Sequence, residues 1–237
     1  MACDTVLFEA VESGLAPGAL RVYQWVGPAI SAGRNQRIER DLQTHRCAEL
    51  GVPIVRRPSG GRGVLHGSDL TVSCALPLVL LPPSQRNVCA SHALIVGSIG
   101  NALTRLGFPC SLGCAPVAGS GVEGDCFARA TSADLVYKDG TKAAGGAQAR
   151  RSTALLEQVA IPLQPDSIPA GEVFRGRAGT RSAVLSTVPL ETLIFAIREE
   201  LSLALRVVFA KCSWPVDLFQ RAVASAPSFL VDTSSSM

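Results

Sequence analysis

The distribution of apolar residues confines this chain to a globular fold. They make up 47% of its 237 residues, yet the longest unbroken apolar stretch, residues 74–83, contains three prolines. A membrane-spanning helix needs about 20 consecutive apolar residues, so no membrane span is expected. The apolar positions instead recur with two periods. Leu70, Val72, Cys74 and Leu76, with Thr71, Ser73 and Ala75 between them, alternate and predict a strand. Val88, His92, Ile95, Val96, Ile99, Leu103 and Leu106 keep helical spacing until Gly107. Leu190, Leu193, Ile194, Ile197, Leu201 and Leu205 predict a second long amphipathic helix, beginning near Thr187. A chain of this length with both periods buries one face of its sheet under helices.

Shorter signals fill in the order. Asp4 is placed to cap a helix with Val6, Leu7, Ala10 and Val11 on one face, stopped at Gly14. Residues 20–25 alternate as a strand, 37–50 form a helix closed by Gly51, and 53–56 read as a short buried strand. Further strands are expected around 134–137, 141–147 and 155–161. Strands and helices intersperse without a regular βαβ rhythm. The expected class is therefore α+β, a mixed central sheet flanked by helices, in a single domain over residues 1–231 with a disordered tail at 232–237. His92, on the apolar helix face, reads as a core or edge histidine and not as a ligand.

Charge narrows the function classes. Charged residues are 17% of the chain, against about 25% in an average soluble protein. The net charge of +3 is too small to point to nucleic acid. Arginines do cluster: Arg34, Arg37 and Arg40; Arg56, Arg57 and Arg62; Arg150 and Arg151; Arg175, Arg177 and Arg181. Each cluster reads either as a face for an acidic partner or as ordinary solvated surface. The eight cysteines (Cys3, Cys47, Cys74, Cys89, Cys110, Cys114, Cys126 and Cys212) include no Cys-x-x-Cys, and His45, His66 and His92 stand apart from them. Neither a disulfide framework nor a metal site is expected, and most of these thiols should be small core residues. No basic segment precedes an apolar one at the N-terminus, where Asp4, Glu9 and Glu12 interrupt, so a cytoplasmic location is the expectation.

Two segments carry residues that core packing does not ask for. In Arg56-Arg57-Pro58-Ser59-Gly60-Gly61-Arg62-Gly63-Val64-Leu65-His66, three glycines in four positions let the backbone approach a ligand and turn its amides toward it. It is neither a Walker loop nor a dinucleotide fingerprint. By composition it reads first as a turn between strands and second as a ligand loop. In the other segment, Asp139-Gly140 is a hairpin turn signal that places Lys142 on the returning strand, followed by the small residues Ala143, Ala144, Gly145, Gly146 and Ala147. Spacing alone favours an exposed strand lysine over one that holds a carbonyl or phosphate oxygen.

Taken together, these segments resemble the biotin/lipoate protein ligase family, and most closely its octanoyltransferase branch. The segment from Arg56 to His66 is similar to that family's glycine loop. Lys142-Ala-Ala-Gly-Gly-Ala-Gln148-Ala-Arg150 is similar to its Lys-x-x-Gly-x-Ala-Gln-x-Arg strand. Upstream, Arg21-Val22-Tyr23-Gln24-Trp25 and Ser31-Ala32-Gly33-Arg34-Asn35-Gln36 resemble its Arg-x-Tyr-x-Trp and Ser-x-Gly-x-x-Gln elements. The resemblance covers residues 1–163. It implies the fold of biotin ligases and class II synthetase cores, and transfer of an octanoyl or lipoyl group to a carrier-domain lysine. Cys126, followed by Phe127, occupies the place where the cysteine-dependent octanoyltransferases carry their nucleophile. The loop-like residues 119–124 before it imply an accessible thiol.

What the resemblance implies for the site follows. Cys126 would attack the thioester of an acyl carrier protein, and the acyl-cysteine would be cleaved by a lysine of a lipoyl-domain or H-protein-type acceptor. Lys142 would raise the reactive thiolate fraction or hold the acyl carbonyl oxygen. Arg57, Ser59, Gly60, Gly61, Arg62, Gly63, His66, Gly145, Gly146, Ala147 and Gln148 would bind acyl group or substrate. The acyl tunnel is expected beside residues 143–147 and 70–76. No metal and no cofactor are implied; ATP and Mg²⁺ enter only under the alternative of an ATP-dependent lipoate ligase or carrier-to-carrier amidotransferase. A silent module that binds acylated carriers is the third reading. Departures bear on the choice. Glu157-Gln158-Val159-Ala160-Ile161 stands where the family shows Gln-His-Gly-Ser-Ile, Ala130-Thr131 replaces a Pro-Ser pair, and the acidic residue expected directly after His66 is displaced to Asp69.

Overall fold

The computed structural model describes residues 1–113 and 123–232. Its elements in order are α1 (Ala2–Glu12), β1 (Ala19–Tyr23), β2 (Ala29–Ala32), α2 (Ile38–Asp41), α3 (Thr44–Glu49), β3 (Ile54–Arg56), β4 (Val64–His66) and β5 (Asp69–Pro77). They continue with α4 (Val88–Arg105), β6 (Cys110–Leu112), β7 (Asp134–Tyr137), β8 (Lys142–Arg150), β9 (Ala154–Pro162), α5 (Leu190–Leu205) and α6 (Val216–Ser225). Among the described residues, six strands form a sheet in the order β1-β5-β9-β8-β7-β6, and β3-β2-β4 form a smaller one. The α+β class is borne out. The large sheet is antiparallel throughout; among the described strands β2 and β3 of the small sheet pair in parallel, and an isolated parallel bridge joins Gly63 to Asp125.

Side-chain alternation decides what each face of the large sheet meets. Leu70, Val72, Cys74 and Leu76 of β5 turn to one side, with Leu155, Val159 and Ile161 of β9. That side is covered by α4 and α5 through Ile95, Val96, Ile99, Leu103, Leu193, Ile197 and Leu201. Each such fully buried side chain is worth about 1.5–3 kcal/mol over its exposed state. The opposite side meets Phe8 and Val11 of α1 through Ala75, Ala149 and Leu156. Farther along the same side, Ala160 of β9 packs with Val64 of β4 and with Phe127, where the small sheet comes over the large one.

Helix α4 is capped by Asn87, whose side chain accepts from the Ala90 amide, and Gly107 takes the left-handed φ of +92° just past its end. Other expectations are corrected. Asp4 lies inside α1, fully buried, and accepts from Arg21, Tyr23 and Gln158 instead of capping. The helix expected over 37–50 is split: Leu42 is extended (φ −122°, ψ 151°) and bridges Phe174, because burying Leu42 there outweighs helix propensity. Of the cysteines, only Cys47 and Cys74 are buried; Cys89 and Cys212 are exposed, Cys3, Cys110 and Cys126 are half-buried, and Cys114 lies outside the described residues. So do residues 119–122 of the expected loop and 233–237 of the expected tail. No described helix is long and apolar enough to cross a membrane.

The small sheet and the glycine loop are held by a close approach that only glycine permits. A Cβ on Gly33 would stand 2.0 Å from the carbonyl oxygen of Gly61. Gly33→Ala is therefore expected to destabilise the protein by about 1–3 kcal/mol, read from the urea midpoint, with the loop displaced because backbone must yield.

Candidate functional site

Cys126 opens a single turn of 3₁₀ helix, Cys126–Ala128, whose geometry is fixed before any ligand arrives. Asp125, fully buried, accepts from the amides of Phe127 (3.0 Å) and Gly179 (2.8 Å) and from both terminal nitrogens of Arg181 (2.9 and 2.7 Å). The turn is also tied to the glycine loop: Gly63 N–H donates to the Gly124 carbonyl (2.9 Å) and Cys126 N–H to the Gly63 carbonyl (2.7 Å). Gln36 adds a bond to the same Gly124 carbonyl (2.9 Å). The sequence separation of 63 from 126 is thereby closed to one residue pair.

Lys142 is 4% exposed, so the exposed-lysine reading is set aside. Its ammonium donates to Cys126 Sγ (3.2 Å) and the Cys126 carbonyl (2.8 Å), and stands 2.9 Å from Asp134 Oδ1. Burial opposes the charge, but the Cys126 sulfur and the Asp134 carboxylate outweigh it and hold Lys142 above the ordinary lysine value. All three ammonium protons are committed. Asp134 is itself fixed by the Thr131 amide and hydroxyl, both 2.8 Å from Oδ2. Gly145 leaves room for the pair: a Cβ there would lie 3.0 Å from Lys142 Cε and 3.3 Å from Cys126 Sγ.

The sulfur faces a pocket of about 360 Å³, mouth included, between the two sheets. Its walls include Arg57, Val64, His66, Gly145, Ala147 and Ala160, and Ser31, Thr71, Gly146, Gln158 and Val159 also contribute. The expected tunnel is corrected accordingly. Ala143 and Ala144 belong to the helix-facing core, and of residues 70–76 only Thr71 reaches the pocket, because the alternating apolar side chains of β5 point to α4 and α5.

The remaining expected binding residues separate by role. Arg57 borders the pocket, but its guanidinium is spent on the Ser31, Gly60 and Arg62 carbonyls, and burial pulls its pKa down to about 10. It shapes the loop. Ser59 is fully buried and donates to Gln158 Oε1 (2.8 Å). Arg62 pairs with Glu123 (2.8 Å). Gly60, Gly61, Arg62 and Gly63 do not line the pocket; Gly61 takes a φ of +89° and Gly63 faces Phe174. His66 lines the pocket with both ring nitrogens engaged, Nδ1 with Asp69 (2.9 Å) and Nε2 with Ser31 (2.8 Å), under a stacked Trp25. Asp69 thus supplies the carboxylate missing directly after His66. Gln148 is a correction: strand alternation turns it to the helix side, where it donates to Glu157 (2.9 Å) and accepts from Arg150 (2.9 Å).

Sequence reasoning missed Asp134, Asp125 and Arg181. The first had a signal in Thr131-x-x-Asp134, a spacing at which side chain and backbone bond each other; the other two are joined only by the fold. Gln158 and Ala160, from the divergent stretch, are pocket walls, and Gln158 links Ser59 to Asp4. Among the described residues no group of three His, Cys, Asp or Glu is gathered to hold a metal.

Residues 1–207 match the family of the lipoyl protein ligase A/B catalytic domain. The octanoyltransferase LipM of Exiguobacterium sp. strain AT1b is 35% identical over 173 residues, 70% of this chain; the match spans 62% of that relative's length. Protein Ta0514 of T. acidophilum superposes with a TM-score of 0.77 at 19% identity, covering 96% of this chain and 88% of that one. A bi-partite lipoate protein ligase from Thermoplasma acidophilum, described with its E2 lipoyl domain, gives 0.71 at 17% identity, covering 94% and 86%. The resemblance drawn from the four motifs is borne out, as is the lipoate-ligase fold.

The buried pair makes a stability prediction. Asp134→Asn keeps the shape and the bond from the Thr131 amide but strips Lys142 of its carboxylate, and is expected to cost about 3 kcal/mol. Cys126→Ser, read by the same denaturant titration, should stay within about 1 kcal/mol.

Proposed function

The chain belongs to the lipoyl protein ligase A/B catalytic-domain family, and from that membership we propose that it moves an octanoyl group from the thioester of an acyl carrier protein to a lysine of a lipoyl-domain or H-protein-type carrier, through an acyl-Cys126 intermediate. The observation that carries this reading is the 3.2 Å contact between Cys126 Sγ and a buried lysine, in the wall of a pocket where small and apolar residues (Val64, Gly145, Gly146, Ala147, Val159, Ala160) meet the polar Ser31, Arg57, His66, Thr71 and Gln158. Seven apolar carbons at about 0.8 kcal/mol each would supply roughly 5–6 kcal/mol of binding if the pocket opens far enough to bury the whole chain.

The chemistry is a double displacement. Cys126, as thiolate against the Lys142 ammonium, attacks the donor's carbonyl carbon; the C–S bond to the carrier breaks and the carrier thiol leaves, protonated from Lys142. The acceptor lysine, as free amine, then attacks the acyl-cysteine carbonyl; the C–N bond forms, the C–S bond to Cys126 breaks, and the surplus amine proton returns to Lys142. Between the two halves Lys142 is the neutral amine, and Asp134 holds it in place to take that proton back. In the free enzyme the ammonium has no proton to spare for the acyl carbonyl, so of the two roles open for Lys142 the geometry favours stabilising the sulfur.

No nucleotide takes part in this scheme, and a cytoplasmic location suits its substrates. The LipM relative's name supports the octanoyl donor, and the T. acidophilum ligase with its E2 lipoyl domain supports the acceptor class. Exposed Arg34 and Arg37 offer positive charge to an acidic carrier, while Arg40 is paired with Asp41.

Intact-mass measurement after mixing with octanoyl-carrier protein is the test. A thiol-linked octanoyl adduct on wild type and none on Cys126→Ser is expected, with Lys142→Ala slowed at least a hundredfold. Lipoylation that needs ATP and survives Cys126→Ser would overturn the reading in favour of a ligase.

A further inference from the structure

His92 of α4 stands on the side of the sheet away from the pocket, yet it is one residue removed from the machinery. Its Nε2 lies 2.7 Å from the carbonyl oxygen of Ala133, and its Nδ1 lies 3.0 Å from Oε1 of Glu157. Ala133 precedes Asp134, whose carboxylate holds the Lys142 ammonium. A carbonyl only accepts, and the fully buried Glu157 carboxylate already accepts from Gln148 through Oε2. An imidazole set between two acceptors satisfies both by carrying a proton on each nitrogen. Burial works against that charge, but the bond to Glu157, its charge, the Ala133 carbonyl and Asp134 together raise His92 above the ordinary histidine value.

Core packing does not account for this residue. The buried positions of α4 after it are Ile95, Val96, Ile99, Gly100, Ala102 and Leu103, with Ser98 as the one polar side chain, spent on the Leu94 carbonyl of its own helix. The strand beneath is relieved to admit the ring: a Cβ on Gly146 would come within 2.9 Å of His92 Cε1 and 3.3 Å of Glu157 Oε1. Every neighbouring element presents a defined group to it. β9 brings Glu157, β8 brings Gln148 with Arg150 bonded behind it and Lys142 across the sheet, β7 brings Asp134, and β5 places Cys74 beside Glu157.

We propose that His92 is a positioning residue for the Cys126–Lys142 pair: braced on Glu157, it pins the Ala133 carbonyl and so sets Asp134, which sets the ammonium against the sulfur. Its consequence for acyl transfer rests on the function proposed above; its effect on the thiol does not.

The test is the rate at which Cys126 is alkylated by iodoacetamide at neutral pH, followed peptide by peptide, alongside steady-state transfer. His92→Ala is expected to slow alkylation of Cys126 about tenfold, to lower kcat with KM for the donor unchanged, and to leave Cys89 and Cys212 reacting as before. His92→Gln, which retains an N–H for the Ala133 carbonyl, is expected to restore most of the rate. Added to Asp134→Asn, His92→Ala is expected to cost nothing more, since both act on one contact. If His92→Ala does not fold, His92→Phe, which keeps the volume without a donor, reads the same loss. An unchanged Cys126 rate in a folded variant, full additivity with Asp134→Asn, or a Gln variant as slow as Ala or Phe would overturn the proposal. If wild type transfers no acyl group but Cys126 alkylation still slows as described, the proposed function falls and this inference stands.

Discussion

A charged ammonium held almost entirely out of water constrains the rest of this molecule. Lys142 tolerates burial because each of its protons has an acceptor: a carboxylate, a carbonyl and a sulfur. Taking away any one leaves charge in a medium where it is expensive. The sulfur is therefore part of what keeps the lysine where it is, and the lysine part of what fixes the sulfur. Under the proposed function, stability and reactivity are drawn from one set of contacts.

The fold delivers these groups from four distant segments. Antiparallel β7 and β8 place Asp134 near Lys142, with an irregularity at residues 135 and 136 where the register shifts. The turn bearing Cys126 is anchored on one side by Gly63 and on the other by Arg181, through the fully buried Asp125. Arg181 also stacks over Phe127 at 4.6 Å, so the stretch after β9 clamps the residue next to Cys126. The glycine loop is then a frame: Arg57 gathers its carbonyls, Ser59 fastens it to β9, and Gly33 lets β2 run directly beneath it.

Much of this was legible in the sequence. Period-two and period-3.6 patterns located β5, β7, β9, α4 and α5, because each buries a continuous apolar face and periodicity records that directly. The short β3 was legible as a buried strand, but β4 and β6 were not, and neither was the break between α2 and α3, where Leu42 is extended for the sake of a tertiary contact with Phe174. The motifs led to Cys126 and Lys142, and the geometry brings those two together. They misdirected at Gln148, where a motif names a residue without saying which side of the strand it faces. Asp125 and Arg181, separated by more than fifty positions, left no local trace that could join them. The divergent 157–161 stretch reads differently once folded: Gln158 serves as a polar link between loop and α1, and Glu157 as the brace for His92.

If octanoyl rests on Cys126 between donor and acceptor, rapid-quench single-turnover kinetics resolves it as a separate species. With donor and acceptor carriers both present, acyl-protein is expected to rise first and then decay at the rate at which amide accumulates on the acceptor. Amide forming from the first time point, with no acyl-protein ahead of it, would rule out the Cys126 intermediate.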